Sequence, residues 1–242
     1  ASLRPRCCKD VATVRKNEYV NLPVICLVGP TASGKSGLAV RVCRRLYVDE
    51  HPAEIINTDS MVVYRGMDIG TATPTLREQR TVVHHLVSIL DVTVPSSLVL
   101  MQTLARDAVE DCLSRGVIPV LVGGSALYTK AIIDEMSIPP TDPEVRARWQ
   151  EKLDAEGPRV LHDELARRDP KAAESILPGN GRRIVSCPRS LLTLTGSFTA
   201  TDPRRDPPLA KTVQMGLELS RKDIDQRIAD RVDQMWAYGF VD

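Results

Sequence analysis

The 242-residue chain has almost no net charge: 32 basic residues stand against 31 acidic ones, a formal balance of +1. Any nucleic-acid partner must therefore be held by a local basic patch and not by a global field. No apolar run reaches membrane-spanning length, so neither a transmembrane helix nor a membrane partner is expected. The six cysteines, Cys7, Cys8, Cys26, Cys43, Cys112 and Cys187, form no CxxC pair and have no histidine at ligand spacing, which argues against a zinc site. Several stand in apolar runs, a usage suited to core residues in a reducing cytosol. The sequence has no G-x-S-x-G elbow for a hydrolase nucleophile and no evident arginine-rich lid of a nucleotide kinase.

At 43% hydrophobic and 26% charged, the chain is long enough for one α/β domain plus a substantial insertion. Its organising stretch is Gly29-Pro30-Thr31-Ala32-Ser33-Gly34-Lys35-Ser36, which follows the apolar run Pro23–Val28 and opens an amphipathic segment with Leu38, Ala39, Val42 and Leu46. Strand, glycine-bounded loop and helix in that order define a P-loop. Gly29 and Gly34 permit backbone conformations that a Cβ would penalise, so successive amides turn toward anionic oxygens at the positive end of a helix. Lys35 adds a point charge and Ser36 a hydroxyl suited to Mg2+. Taken alone, such a loop suggests ATP or GTP.

Ala53–Ser60 reads as a second parallel strand that ends in a carboxylate, Asp59, 24 residues after Lys35. Ligands gather at the carboxyl ends of such strands, so Asp59 is expected in the same crevice, holding Mg2+ or acting as a base; the plain alternative is a helix cap. Met61–Pro74, rich in glycine and turn residues, reads as a binding loop. His84 and His85 are adjacent and unsuited to chelating one ion, which favours structural or substrate-positioning roles. Leu100–Arg115 has helical spacing and stops at Gly116, and Val117–Val122 is a buried-type strand delivering Gly123-Gly124-Ser125 toward an anion.

After Pro139-Pro140 the character changes to charged helical segments, Asp142–Glu156, Pro158–Arg168 and Pro170–Leu177, separated by Gly157 and Asp169. Between Pro178 and Lys211 six basic residues, including Arg182 and Arg183, face two acids, a patch that either steers an RNA backbone or is simply solvated. Thr212–Leu219 alternates as a strand, and Arg221 opens a helix running toward Gly239 from which it could reach the crevice. The expected architecture is a P-loop NTPase-like α/β core over 22–136 and 211–242, a parallel sheet with helices on both faces, interrupted by a helical insertion over 137–210. Residues 1–21 read as a flexible basic leader, with an organellar transit sequence as the alternative.

The ordered set GPTASGKS, NTDSMVVYRGMDIGTATP, HHLVSILD, PVLVGGSALY, NGRRIV and LSRKDIDQRIADRVDQMWAYGF resembles the tRNA dimethylallyltransferases across roughly residues 23–242. The resemblance implies transfer of a dimethylallyl group from dimethylallyl diphosphate to the exocyclic amine of the adenosine beside the anticodon. Breaking the allylic carbon–oxygen bond builds charge on diphosphate, so the site must stabilise that leaving group. The resemblance assigns Asp59, Ser125 and Arg221 to catalysis and Gly29, Thr31, Ala32, Ser33, Gly34, Lys35 and Ser36 to diphosphate. It gives Ser36 to Mg2+, and Arg182 and Arg183 to tRNA. It implies a monomeric cytoplasmic enzyme with the insertion gripping tRNA. Prenyl transfer to free adenine nucleotides and a non-catalytic diphosphate- or RNA-binding remnant are the competing expectations.

Three departures bear on that expectation. Val62 replaces a frequent glutamine and removes a polar contact to the target base. Pro188 stands where a helix usually continues, and its missing N–H would kink or end that helix. The chain also stops at Asp242, so against the family it reads as shortened at its C-terminus, which bears on tRNA binding more than on diphosphate binding.

Overall fold

The computed structural model describes residues 22–134, 143–186 and 211–241. The basic leader, Pro188 and the patch residues Arg189, Arg204 and Arg205 lie outside them. The chain divides into two compact units, residues 1–135 with 205–242, and residues 136–204.

The first unit is built on five parallel strands: β1 (Val24–Val28), β2 (Ala53–Asn57), β3 (His84–His85), β4 (Ile118–Gly123) and β5 (Thr212–Gly216). Their order is β3-β2-β4-β1-β5. Strand alternation assigns two cores. Leu27, Ile55, Val120 and Val122 pack with Ala39 and Cys43 of α1 (Lys35–Val48). The intervening Cys26, Ile56 and Leu121 pack on the opposite face with Met101, Ala105, Val109 and Cys112 of α4 (Leu98–Ser114) and with Ile132 and Ile133 of α5 (Ala126–Ile133). Helices thus cover both faces, as the sequence predicts. The short helices α2 (Asp68–Thr71) and α3 (Leu76–Thr81) interrupt the connection from β2 to β3.

Register brings the functional loops level. Val28 pairs with Gly123 on one side and Gly216 on the other, while Asn57 pairs with Val122. The loops after β1, β2, β4 and β5 therefore leave from one edge of the sheet, the edge where ligands of doubly wound sheets bind.

The second unit holds α6 (Pro143–Glu156), α7 (Pro158–Arg168), α8 (Pro170–Ser175) and α9 (Gly181–Ser186). Gly157, at φ 81°, separates α6 from α7, and Asp169 caps α8 by accepting from the Ala172 amide at 3.0 Å. Val145, Trp149, Leu161, Leu165, Ile176 and Ile184 form its own core. After β5 the chain returns through α10 (Arg221–Ala237), capped by Ser220, in the first unit.

Candidate active site

Gly34 caps α1 at φ 88° and offers no side chain to the first amides of the helix. Those amides are left for an anion, which a helix N-terminus favours. Gly29 meets a different demand, close approach: a Cβ there would lie 3.0 Å from the Leu217 carbonyl oxygen. Lys35 reaches back over the loop, its Nζ donating to the carbonyls of Gly29 at 2.9 Å and Pro30 at 2.7 Å. Burial lowers its pKa below the usual lysine value; Asp59 opposes that shift and Arg231 adds to it.

A cavity of about 540 Å³ opens beside this loop, lined by Thr31, Ala32, Gly34, Lys35, Ser36 and Gly37 on one side. Asn57, Asp59, Val62 and His84 contribute from the β2 and β3 region, and Gly123 and Gly124 from β4. Asp59 is held by local geometry: its amide donates to Asn57 Oδ1 at 2.9 Å, Asn57 Nδ2 donates to the Asp59 carbonyl at 2.9 Å, and Asp59 Oδ1 accepts from the Met61 amide at 2.9 Å. The carboxylate is half-buried and joins Lys35 and Ser36 in one cavity, as its strand-end position predicts.

Gly29 and Ser33 belong to the loop without lining the cavity; Ser33 is turned inward and 5% exposed. Ser125 does not line it either. Its hydroxyl caps α5, accepting from the Tyr128 amide at 3.5 Å. The largest difference concerns Arg221, whose side chain is 88% exposed and paired with Asp225 at 3.1 Å. In its place α10 turns Arg227, Asp230, Arg231 and Gln234 to the cavity. These four share a helix face at i, i+3, i+4 and i+7, and Arg221, six residues before Arg227, is rotated off it. Arg227 also donates to the Ser33 carbonyl at 3.5 Å. The i, i+4 pair of arginines was the available sequence signal. Arg182 and Arg183 stand exposed on α9 in the second unit, where Ile184 and Val185 supply the buried face.

One cluster was invisible to sequence spacing. Glu54, His85 and Cys112 place ligand-type atoms within 4.8 Å of one another. Glu54 already accepts from Arg115 at 2.7 and 2.9 Å and makes a 2.7 Å hydrogen bond with His85 Nε2. Burial holds the Cys112 thiol up at about 12, so it remains protonated. The set is a hydrogen-bonded brace on the α4 face, away from Asp59. For Mg2+ the fitting donors are oxygens, the Ser36 hydroxyl and the Asp59 carboxylate, both in the cavity.

A parallel sheet with a glycine-bounded strand–loop–helix unit, a strand-end carboxylate and two arginines lining the same cavity defines a P-loop-type α/β protein. Residues 62–242 match the family model described as IPP transferase. A tRNA dimethylallyltransferase of Cutibacterium acnes is 93% identical over 229 residues, covering 95% of this chain and 72% of that protein. Among solved structures, a tRNA isopentenylpyrophosphate transferase from Bacillus halodurans aligns at TM-score 0.58 and 37% identity, over 90% of this chain and 67% of that one. A eukaryotic dimethylallyltransferase acting on tRNA aligns at TM-score 0.77 and 26% identity, over 90% of this chain and 54% of that one. The chain belongs to the IPP transferase family.

Proposed function

We propose that this chain transfers a dimethylallyl group from dimethylallyl diphosphate to the exocyclic amine of the adenosine next to a tRNA anticodon. The observation that carries the proposal is the shared cavity: an anion-binding loop, two arginines and a carboxylate around one space, in a chain of this family. As the allylic carbon–oxygen bond breaks, its electron pair passes to diphosphate, which the α1 amides, Lys35, Arg227 and Arg231 stabilise. The amine nitrogen forms the new carbon–nitrogen bond, and its proton goes to Asp59. Mg2+ held by Ser36, with Asp59 kept free as the base, would supply additional charge for the leaving group.

A second cavity of about 660 Å³, lined by Asp68, Thr73, Gln79, Ser88, Met235 and Tyr238, shares Ala72, Pro74, Arg231 and Gln234 with the first. This continuity supports entry of the acceptor base past the Met61–Pro74 loop while the diphosphate occupies the P-loop end. The helical unit, with Arg182 and Arg183 exposed, serves as the tRNA grip, and the enzyme acts as a cytoplasmic monomer. Among the described residues no helix is long and apolar enough to cross a membrane.

The test is transfer of label from dimethylallyl diphosphate with Mg2+, offered tRNA, AMP, ADP and ATP in parallel, with the Cutibacterium acnes relative as control. Label in tRNA alone is expected. Label in free nucleotides would move the function to a small acceptor. Diphosphate binding without any turnover would leave a remnant that only binds.

A further inference from the structure

Neighbouring residues of a strand face opposite ways, and the two histidines of β3 are separated by that rule. His85 is registered with Ile56, on the α4 face, where Glu54, itself held by Arg115, pins its ring. His84 is registered with Ile55, on the α1 face, and lines the cavity that holds Lys35 and Asp59. Its Nδ1 lies 2.8 Å from the Val82 carbonyl. A carbonyl oxygen only accepts, so Nδ1 carries the hydrogen, and in the neutral ring Nε2 keeps a lone pair. No described residue donates to that nitrogen. Burial favours the neutral ring, and the neighbouring His85 adds to that; the Val82 carbonyl and Glu78 of α3 act the other way without reversing it.

A neutral acceptor nitrogen is the wrong partner for a diphosphate oxygen and the right one for an N–H group. The cavity offers partners of both kinds. Lys35, Arg227 and Arg231 supply cations, while Ile55, Val62, Val87 and Val122 are apolar lining residues of the kind that a flat base can pack against.

We propose that His84 Nε2 accepts a hydrogen bond from the exocyclic amine of the acceptor adenine. The inference rests on the transfer reaction proposed above. One amine hydrogen leaves to Asp59 as the carbon–nitrogen bond forms and the carbon–oxygen pair departs with diphosphate. The other stays on nitrogen, held by His84 from substrate through to the secondary-amine product. The contact orients the nitrogen lone pair toward the allylic carbon and selects bases that carry an amine.

The test is a binding cycle that needs no turnover. Affinities of the wild-type chain, H84F and H84N are measured for an anticodon stem-loop bearing adenine, or purine with hydrogen in place of the amine, with inorganic diphosphate present. Loss of the amine is expected to weaken wild-type binding about tenfold more than it weakens binding to either variant, the scale of one hydrogen bond, because the variants keep only the Asp59 contact to the amine. H84N keeps an amide donor for the Val82 carbonyl and loses the Nε2 acceptor, so it separates the substrate contact from support of β3. Diphosphate affinity should be unchanged in both. Equal discrimination by wild type and H84N, or parallel loss of diphosphate binding, overturns the role of His84. Failure of wild type to transfer label to the adenine stem-loop overturns the transfer reading instead.

Discussion

Glu54 sets the position of β3, and replacing it by glutamine tests how. Its carboxylate accepts from Arg115 at 2.9 and 2.7 Å, is hydrogen-bonded to His85 at 2.7 Å, and lies 3.5 Å from the Cys112 sulfur. The Arg115 hydrogen bonds, against the opposing effect of burial, hold its pKa down at about 2 from an ordinary 4.5. A depressed carboxylate pKa means stability that is fully present above the unfolded value of 4.5 and lost as pH falls through about 2. At 1.36 kcal/mol per unit the depression corresponds to about 3 kcal/mol. Glu54 is only 14% exposed, but the Arg115 side chain is 42% exposed, so water screens the pair. The expected cost of E54Q at pH 7 is about 1–2 kcal/mol. Urea unfolding followed by fluorescence in a W149F background leaves Trp236 as the only tryptophan, and that residue reports on the first unit. The stability gap between the parent chain and its E54Q variant should be widest near pH 7, shrink by about half at pH 3 and nearly close at pH 2. A gap that stayed constant from pH 7 to pH 3, or no gap at pH 7, would refute the reasoning.

Three further outcomes follow from the site. R231A should lose about 10–100-fold in affinity for dimethylallyl diphosphate, the scale of a charge-assisted contact, while R221A, which breaks only an exposed pair with Asp225, should stay within about twofold; titration calorimetry compares them. D59N should lower kcat by about 10²–10⁴ in single-turnover assays and leave diphosphate affinity near wild type. In G123A the new Cβ would lie 2.1 Å from Thr58 Oγ1 and 2.8 Å from the Thr58 carbonyl carbon. Backbone cannot swing aside as a side-chain tip does, so about 3 kcal/mol of stability should be lost, with transfer falling as Asp59 is displaced; thermal unfolding and the label assay read the two effects.

What the sequence made legible is what one segment can specify. Gly34, Lys35 and Ser36 carry the cradle in their own backbone and side chains, and α7 runs from Pro158 to Arg168 because proline opens it and Asp169 closes it. Asp59 was legible because a strand end is itself a place in an α/β sheet. The arginines were not, since Arg221 and Arg231 look equivalent until the phase of α10 against the sheet is known. The brace was hidden for a similar reason: Cys112 lies 58 residues from Glu54 and 27 from His85, so no ligand spacing connects them. A two-residue strand such as β3 has too few positions to show any period and becomes visible only through its pairing with Ile55 and Ile56 of β2.

That pairing changes the meaning of the histidine doublet. Read along the chain, two adjacent histidines invite one joint role, and the only decision is whether they bind metal. Read across a sheet, adjacency is separation, because one ring must lie on each face. The face with α4 provides Glu54, Arg115 and Cys112, so the ring placed there is tied into the fold. The face with α1 provides the cavity, so the other ring is presented to whatever enters it. Pinning His85 fixes the strand, and fixing the strand orients His84 without a second anchor beyond the Val82 carbonyl. A disturbance of the brace should therefore reach the acceptor side of the cavity before the P-loop, which is anchored separately by β1 and α1. E54Q should raise KM for the acceptor while diphosphate affinity holds, and parallel loss of both would mean that the brace supports the whole sheet edge and not β3 in particular.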